Sequence, residues 1–335
     1  MKNLDKSLDY AIELHKKGKI EEALSLYLKL HIDQNENTKL LFYIGNAYLQ
    51  TKKFDLAIDY YKKTISSDQN HFNAYNNLGG TLLTLGRYKE AIEIFKKTIK
   101  IKPDFSDAYS NLASCYHNLK RYEDSILNYN KAVKLNPNNF AAYNNLGSTY
   151  KELNQNENAI NNFKIAIQIN PNYYIAYNNL GNHFQEIKFY EDAIKNYKKV
   201  VELKPDFKFA IGKLMHAKMR ISYWHEYEEH LDNLINSFKK KNKTITPFPF
   251  LSLIDNPEYH KTNAEIYSKE QFIGPKKEQL ERKIIKNEKI KLGYFSPDFR
   301  DHPILHLTRE IFQFHNKSKF EIYAFSFGPK EEYEN

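Results

Sequence analysis

A single cysteine, Cys115, rules out an intrachain disulfide framework and a cysteine-based zinc site, and it fits a reducing compartment. The opening residues MKNLDKSLDYAIELHKK carry charge without the apolar core of a secretory leader, and no apolar run approaches membrane-spanning length. These absences lead us to expect a cytoplasmic protein without a membrane partner. Strong acidity and low hydrophobicity are also missing. With 41% hydrophobic, 15% aromatic and 27% charged residues, the chain lies far from the composition of disordered sequences. Its net charge of +9 is spread through helix-like stretches and forms no dense basic tract, so no nucleic-acid partner is expected. The run Lys239, Lys240, Lys241 and Lys243 reads as a solvated helix end.

What the chain does have is a repeat. Gly45, Gly79, Ala113, Gly147 and Gly181 follow one another at intervals of 34 residues, and twelve residues after each stand Ala57, Ala91, Ser125, Ala159 and Ala193. Pro103, Pro137, Pro171 and Pro205 share the period, as do the aromatics Tyr61, Phe95, Tyr129, Phe163 and Tyr197. Small residues let two antiparallel helices approach, and the Gly and Ala columns are expected to face each other at that contact. Tyr75 and Leu78, with their equivalents in later units, mark one helix face at three-residue spacing. Each proline ends a helix, and the Asn-Pro-Asn turns at 136–138 and 170–172 reverse the chain.

These columns resemble the tetratricopeptide repeat family, with tyrosine in place of the tryptophan common at the fourth position. The resemblance implies a mainly α fold, a superhelical solenoid of helical hairpins. Five units are placed at 38–71, 72–105, 106–139, 140–173 and 174–207. Residues 1–37 read as a degenerate repeat acting as an N-terminal cap, retaining Ala11, Ala23 and Tyr27. Residues 208–285 read as capping helices and linker. Met215 fills the slot of the small residue there, and Ile211, Leu214, Ile221, Trp224, Leu231, Leu234 and Phe238 keep helical spacing.

The sixth residue of successive units is Asn77, Asn111, Asn145 and Asn179, while the first strong unit has Tyr43. A primary amide donates and accepts, so a column of them along the concave surface suits the backbone of an extended peptide without reading its side chains. The competing reading is an asparagine-rich chain placing asparagine at exposed helical positions. Four in phase argue against it, because asparagine is a modest helix former.

From Pro247 the pattern changes. Pro-Phe-Pro-Phe and Asp255-Asn256-Pro257 are expected to break any helix before a shorter helical segment near 258–268. IKLGYF reads as a buried strand, Ser296 to His302 as a polar loop, Pro303 to about His315 as a helix and FEIYAFS as a second strand. This β-α-β unit opens a segment at 286–335 whose loop carries Asp298, Arg300, Asp301 and His302. GYFSPDFRDHPILHL followed by KFEIYAFSFGP resembles the start of the Rossmann-like catalytic lobe of protein O-linked N-acetylglucosamine transferases and their plant SPINDLY and bacterial relatives. Trp224 and TPFPFLSLIDNP are similar to the linker of that family.

The resemblance implies an inverting, metal-free glycosyltransferase that moves N-acetylglucosamine from a uridine-diphosphate sugar to Ser or Thr of proteins. It also implies that the asparagine ladder draws in the protein substrate. His302 matches the histidine of the family's His-Pro motif, an active-site position for which we favour orientation of acceptor or phosphate over proton abstraction. His302 and His306 stand four residues apart, but no third ligand is evident and Pro303 starts the helix, so no metal is expected. No cofactor is expected beyond the donor substrate, and no G-x-G-x-x-G follows Gly293. The 286–335 segment is too short for a core of its own, so the expectation is an incomplete catalytic domain, inactive alone. A repeat adaptor that only binds peptides is the alternative, and a homodimer through the repeats stays open, as does the identity of the sugar.

Overall fold

The computed structural model describes residues 2–33, 37–240, 242–271, 290–296 and 316–326. Two compact units divide the chain, Met1–Phe272 and Ile273–Asn335.

The first unit is an α-solenoid, as the column pattern implied. Its hairpins are α1 (Lys2–Lys16) with α2 (Ile20–Asp33), α3 (Thr38–Gln50) with α4 (Phe54–Ser67), α5 (Phe72–Thr84) with α6 (Tyr88–Ile101), and α7 (Ser106–Asn118) with α8 (Tyr122–Leu135). They continue with α9 (Phe140–Glu152) and α10 (Asn156–Ile169), then α11 (Tyr174–Glu186) and α12 (Tyr190–Leu203). Each second helix packs on its own first helix and on the first helix of the next hairpin, while α3, α5, α7, α9 and α11 also touch one another in series. The first helices therefore form one continuous row.

Packing inside a hairpin differs in one respect from the sequence reading. The glycine column lies against the aromatic ring of its own unit, and at Gly147 also against the alanine column. A Cβ at Gly79 would meet the Phe95 ring at 2.6 Å, and one at Gly147 would meet Phe163 at 2.9 Å and the Ala159 carbonyl oxygen at 3.1 Å. The rings of Tyr61, Phe95, Tyr129, Phe163 and Tyr197 are fully buried in consequence. Leu78, Leu112, Leu146 and Leu180 join them in the core, while the tyrosines three residues earlier stay half-buried. Cys115 is buried too, and burial pushes its thiol up to about 12, which leaves it inert at neutral pH.

Two turns recur with the period. Between helices of a hairpin, the fifteenth residue of each unit is left-handed: Lys52 (φ 59°), Gly86 (74°), Lys120 (59°), Asn154 (56°) and Lys188 (65°), with Gly18 (80°) in the N-terminal hairpin. Between hairpins, the last residue before proline is extended, with ψ of 90° at Lys102, 91° at Asn136, 92° at Asn170 and 78° at Lys204, as the proline ring demands. Asp68 adopts ψ 99° without a following proline, and its carboxylate accepts from the Asn70 amide at 2.9 Å, so a side-chain turn does the same work.

After α12 come α13 (Ala210–Arg220), α14 (Tyr227–Lys239), α15 (Pro247–Leu251) and α16 (Pro257–Gln271). Ile211, Leu214, Leu234 and Phe238 are buried, but Ile221 and Trp224 are exposed in the turn between α13 and α14 instead of continuing a helix face. That turn is held by Glu226, whose carboxylate accepts from Lys198 at 2.9 Å and from buried Lys218 at 3.0 Å; the two donors hold it down to about 2. The Pro-Phe-Pro-Phe stretch forms α15 rather than breaking all helix, because proline in the first helical turn lacks only an amide that has no intrahelical partner anyway. Residues 243–246 lie along α13. The Phe209 amide donates to the Lys243 carbonyl at 2.7 Å and the Gly212 amide to that of Thr244 at 3.1 Å.

In the second unit, β1 (Ile290–Ser296) pairs in parallel with β2 (Phe320–Ser326), from Ile290 opposite Phe320 to Ser296 opposite Ser326. Parallel neighbours require a crossover connection between them.

Candidate functional site

The row of first helices carries two adjoining polar columns. The sixth residue of one unit donates its side chain to the fifth residue of the unit before. Asn111 Nδ2 reaches Asn76 Oδ1 at 3.2 Å, Asn179 Nδ2 reaches Asn144 Oδ1 at 3.0 Å, and Lys213 Nζ reaches Asn178 Oδ1 at 2.9 Å. Asn144 in turn donates to Asn145 at 3.1 Å and Asn178 to Asn179 at 3.3 Å. From Lys213 to Asn145, donors and acceptors thus run in one direction through five side chains. Asn77 instead donates to Asn46 Oδ1 at 2.8 Å.

Asn77, Asn111, Asn145 and Asn179 are all half-buried. Each is oriented by its neighbours rather than standing free in solvent. An asparagine offers two amide hydrogens and a carbonyl oxygen. The inter-unit bond engages one hydrogen of Asn111 and of Asn179, so each keeps a second hydrogen to offer, whereas Asn77 also bonds the Tyr61 hydroxyl.

A third column lies behind these two, at the ninth residue. Where the buried aromatic is tyrosine, this residue bonds its hydroxyl: Tyr61 donates to Asn46 at 2.8 Å, Tyr197 to Asn182 at 3.0 Å, and Tyr129 pairs with Ser114 at 2.8 Å. Where the aromatic is Phe95, the ninth residue is Gly80, which has no side chain to satisfy. Burial pushes the Tyr129 hydroxyl up to about 12, opposed by hydrogen bonds with Ser114 and Asn145. Ser114, His117, Tyr129, Asn145 and Ser148 line a polar hollow of about 250 Å³. His117 is held below the usual imidazole range by burial, against the pull of Glu152, and bonds Thr149 at 3.0 Å.

At the far end of the row, Lys213 lines a cavity of about 300 Å³ with Gln185, Phe209, His216, Ile245 and Pro249. Burial, reinforced by the charge of Lys151, lowers its ammonium to about 8. His216 is lowered as well, by burial and then by Arg220.

Sequence reasoning found the sixth-residue column but missed its partners. Asn76, Asn144 and Asn178 form a broken series, interrupted by Phe42 and Ser110. Lys213 continues the asparagine column one period after Asn179, and only the change of residue type hid it. Asp298, Arg300, Asp301, His302 and His306 lie outside the described residues. Among the described residues no His, Cys, Asp and Glu cluster could hold a metal ion, and no helix is long and apolar enough to cross a membrane.

Comparison with known proteins assigns these parts. Residues 94–126, 113–153, 147–187 and 174–207 match tetratricopeptide repeat families. Residues 16–98 match the family described as anaphase-promoting complex, cyclosome, subunit 3. Residues 258–334 match glycosyl transferase family 41. No curated protein sequence matches the chain significantly. Among solved structures, the Cut9–Hcn1 hetero-tetramer of the APC/C has a TM-score of 0.58 at 18% identity, over 64% of this chain and 42% of that one. PilF of Pseudomonas aeruginosa has a TM-score of 0.53 at 17% identity, over 60% of this chain and 92% of its own. Both likenesses concern the fold. The chain carries tetratricopeptide repeats, a fold suited to binding protein partners, followed by a segment similar to glycosyl transferase family 41.

Proposed function

We propose that this chain is the substrate-binding arm, with the first part of the catalytic domain, of a protein O-linked N-acetylglucosamine transferase. The observation that carries the reading is the joining, in one chain, of a row of oriented amides at Asn77, Asn111, Asn145 and Asn179 to a family 41 segment at 258–334. On this reading the row of first helices is the concave side of the solenoid. An extended polypeptide lying along it is held through its backbone by the amide hydrogens left over from the inter-unit bonds, so many sequences are admitted. Family 41 resemblance supplies the chemistry: transfer of N-acetylglucosamine from its uridine diphosphate to Ser or Thr, with His302 orienting acceptor or phosphate. The site of action is the cytoplasm.

Two assays test the two halves. Isothermal titration with unstructured Ser/Thr-rich peptides should lose at least roughly tenfold in affinity in the Asn111→Ala, Asn145→Ala double variant, since two hydrogen-bonding groups are removed. Unchanged affinity removes the groove. Transfer of labelled N-acetylglucosamine is then measured with the protein expressed from its whole natural reading frame. Peptide binding without transfer from any sugar nucleotide leaves an adaptor and sinks the enzyme reading.

A further inference from the structure

The polar row does not stop at the last regular unit. Lys213 holds the sixth-residue place one period after Asn179, and its Nζ bonds Asn178 as Asn179 bonds Asn144 and Asn111 bonds Asn76. Exchanging an amide for an ammonium keeps the inter-unit bond and adds a charge. That charge is uncompensated. Among the described residues no carboxylate lies within ion-pairing distance of Lys213, and the charge that bears on it, Lys151, is a cation already paired with Glu186 at 2.7 Å. An ammonium has three hydrogens, and Asn178 takes one.

The group beside it is not a packed wall. Lys213 faces a cavity of about 300 Å³ whose other walls include Phe209, Ile245 and Pro249, with Gln185, His216 and Thr246 as the other polar members. A half-buried lysine whose one hydrogen-bond partner is a neutral amide is costly, and nothing in helix packing requires one at this place. Volume, apolar walls and a single cation at the end suit a short aliphatic stem ending in a carboxylate. A phosphate, with its near-double charge, would ask for more positive charge than one lysine provides.

Resting on the peptide-groove reading above, we infer that the cavity beside Lys213 is a subsite for an Asp or Glu side chain of the bound polypeptide, which fixes its register at the end of the amide row. The chemistry is shared by a free C-terminus. A side chain is favoured because a protein lying along the row offers side chains at every step and a terminus only once. The backbone-binding asparagines then give affinity, and Lys213 gives direction and register.

The test uses the chain as it stands and peptides of about fifteen Ser, Thr and Gly residues, enough to span roughly 50 Å when extended. All have amidated C-termini, and one Asp is walked through the sequence, with Asn at the same place as its twin. Fluorescence anisotropy should show one position at which the Asp peptide binds roughly tenfold tighter than its Asn twin, the worth of a charge-assisted hydrogen bond. Lys213→Met should bring that ratio to about one, and Lys213→Glu should favour a Lys twin at the same position. Should either variant fail to fold by circular dichroism, Lys213→Gln replaces it. If the peptides bind but no position shows an acid preference, the subsite is wrong, and so it is if the preference survives in Lys213→Met. Gain confined to peptides with a free C-terminal acid overturns the side-chain assignment. If no peptide binds at all, the groove reading falls, and the subsite with it.

Discussion

The five regular units and the α13 segment solve the same packing problem with different materials. In a regular unit the close approach is made by a glycine over an aromatic ring, as at Gly147 over Phe163. In α13 it is made by Gly212 over chain that is not helical: a Cβ there would meet the Thr244 carbonyl oxygen at 2.6 Å and Ile245 at 2.7 Å. A ring can tilt by a few tenths of an ångström, whereas a carbonyl that also accepts the Gly212 amide cannot easily withdraw. The polar rows differ in the same manner, neutral Asn179 giving way to charged Lys213. Regular units are interchangeable parts, and α13 is where the pattern of the array changes.

The comparison is broken most severely by Gly212→Ala, which should cost about 3 kcal/mol, at the upper end for overpacking. Because each element of a solenoid contacts only its neighbours, the damage should stay in α13–α16 and split chemical denaturation into two phases. Gly147→Ala should cost about 2 kcal/mol and act on the repeats themselves, since Ala113 shows that the column admits a methyl group. A single shared transition for Gly212→Ala would show that the cap and the repeats unfold as one.

Lys213→Met sharpens the comparison by making α13 as neutral as its neighbours. A lysine whose folded value is about 8 binds its proton more weakly than in the unfolded chain, near 10.4. Folding therefore carries a penalty that is full below about pH 8 and fades as pH rises toward 10.4. The variant should be more stable than the parent by about 2 kcal/mol at pH 7, a figure reduced for partial solvent access, and the gap should close across that window. A gap independent of pH, measured by parallel urea titrations, would mean that the effect is packing alone.

The smallest effect belongs to the turns. Lys120 sits at φ 59°, where Gly86 sits at 74° one unit earlier. Lys120→Gly should stabilise by about 1 kcal/mol by relieving the left-handed backbone, less what the extra freedom of glycine in the unfolded chain removes. Loss of stability in the variant would show that the Lys120 side chain contributes more than the strain costs.

The fold class was legible because identical or similar residues recur at one period, in the glycine column at Gly45, Gly79, Gly147 and Gly181 and in the alanine, proline and aromatic columns that share it. Other regularities were hidden by unlike residues at like places. The left-handed turn is occupied by Lys52, Gly86, Lys120, Asn154 and Lys188, so backbone conformation repeats where residue type does not. Asn76, Asn144 and Asn178 were passed over because Ser110 interrupts them, and Lys213 because lysine looks like surface until its neighbours are seen. Pro247 and Pro249 were read as breakers, although the first turn of α15 tolerates both. What sequence placed around His302 lies outside the described residues.

Each regular hairpin enters its first helix, turns through a left-handed residue and leaves through an extended one, with the same backbone torsions at both junctions. Such units behave as cassettes. An in-frame duplication or loss of 34 codons would rejoin matching ends, as at Asn139 and Tyr174 if residues 140–173 were removed. Recombination between like repeats would then change the reach of the array in steps of one unit, moving the charged end at Lys213 relative to Asn77 without rebuilding the fold.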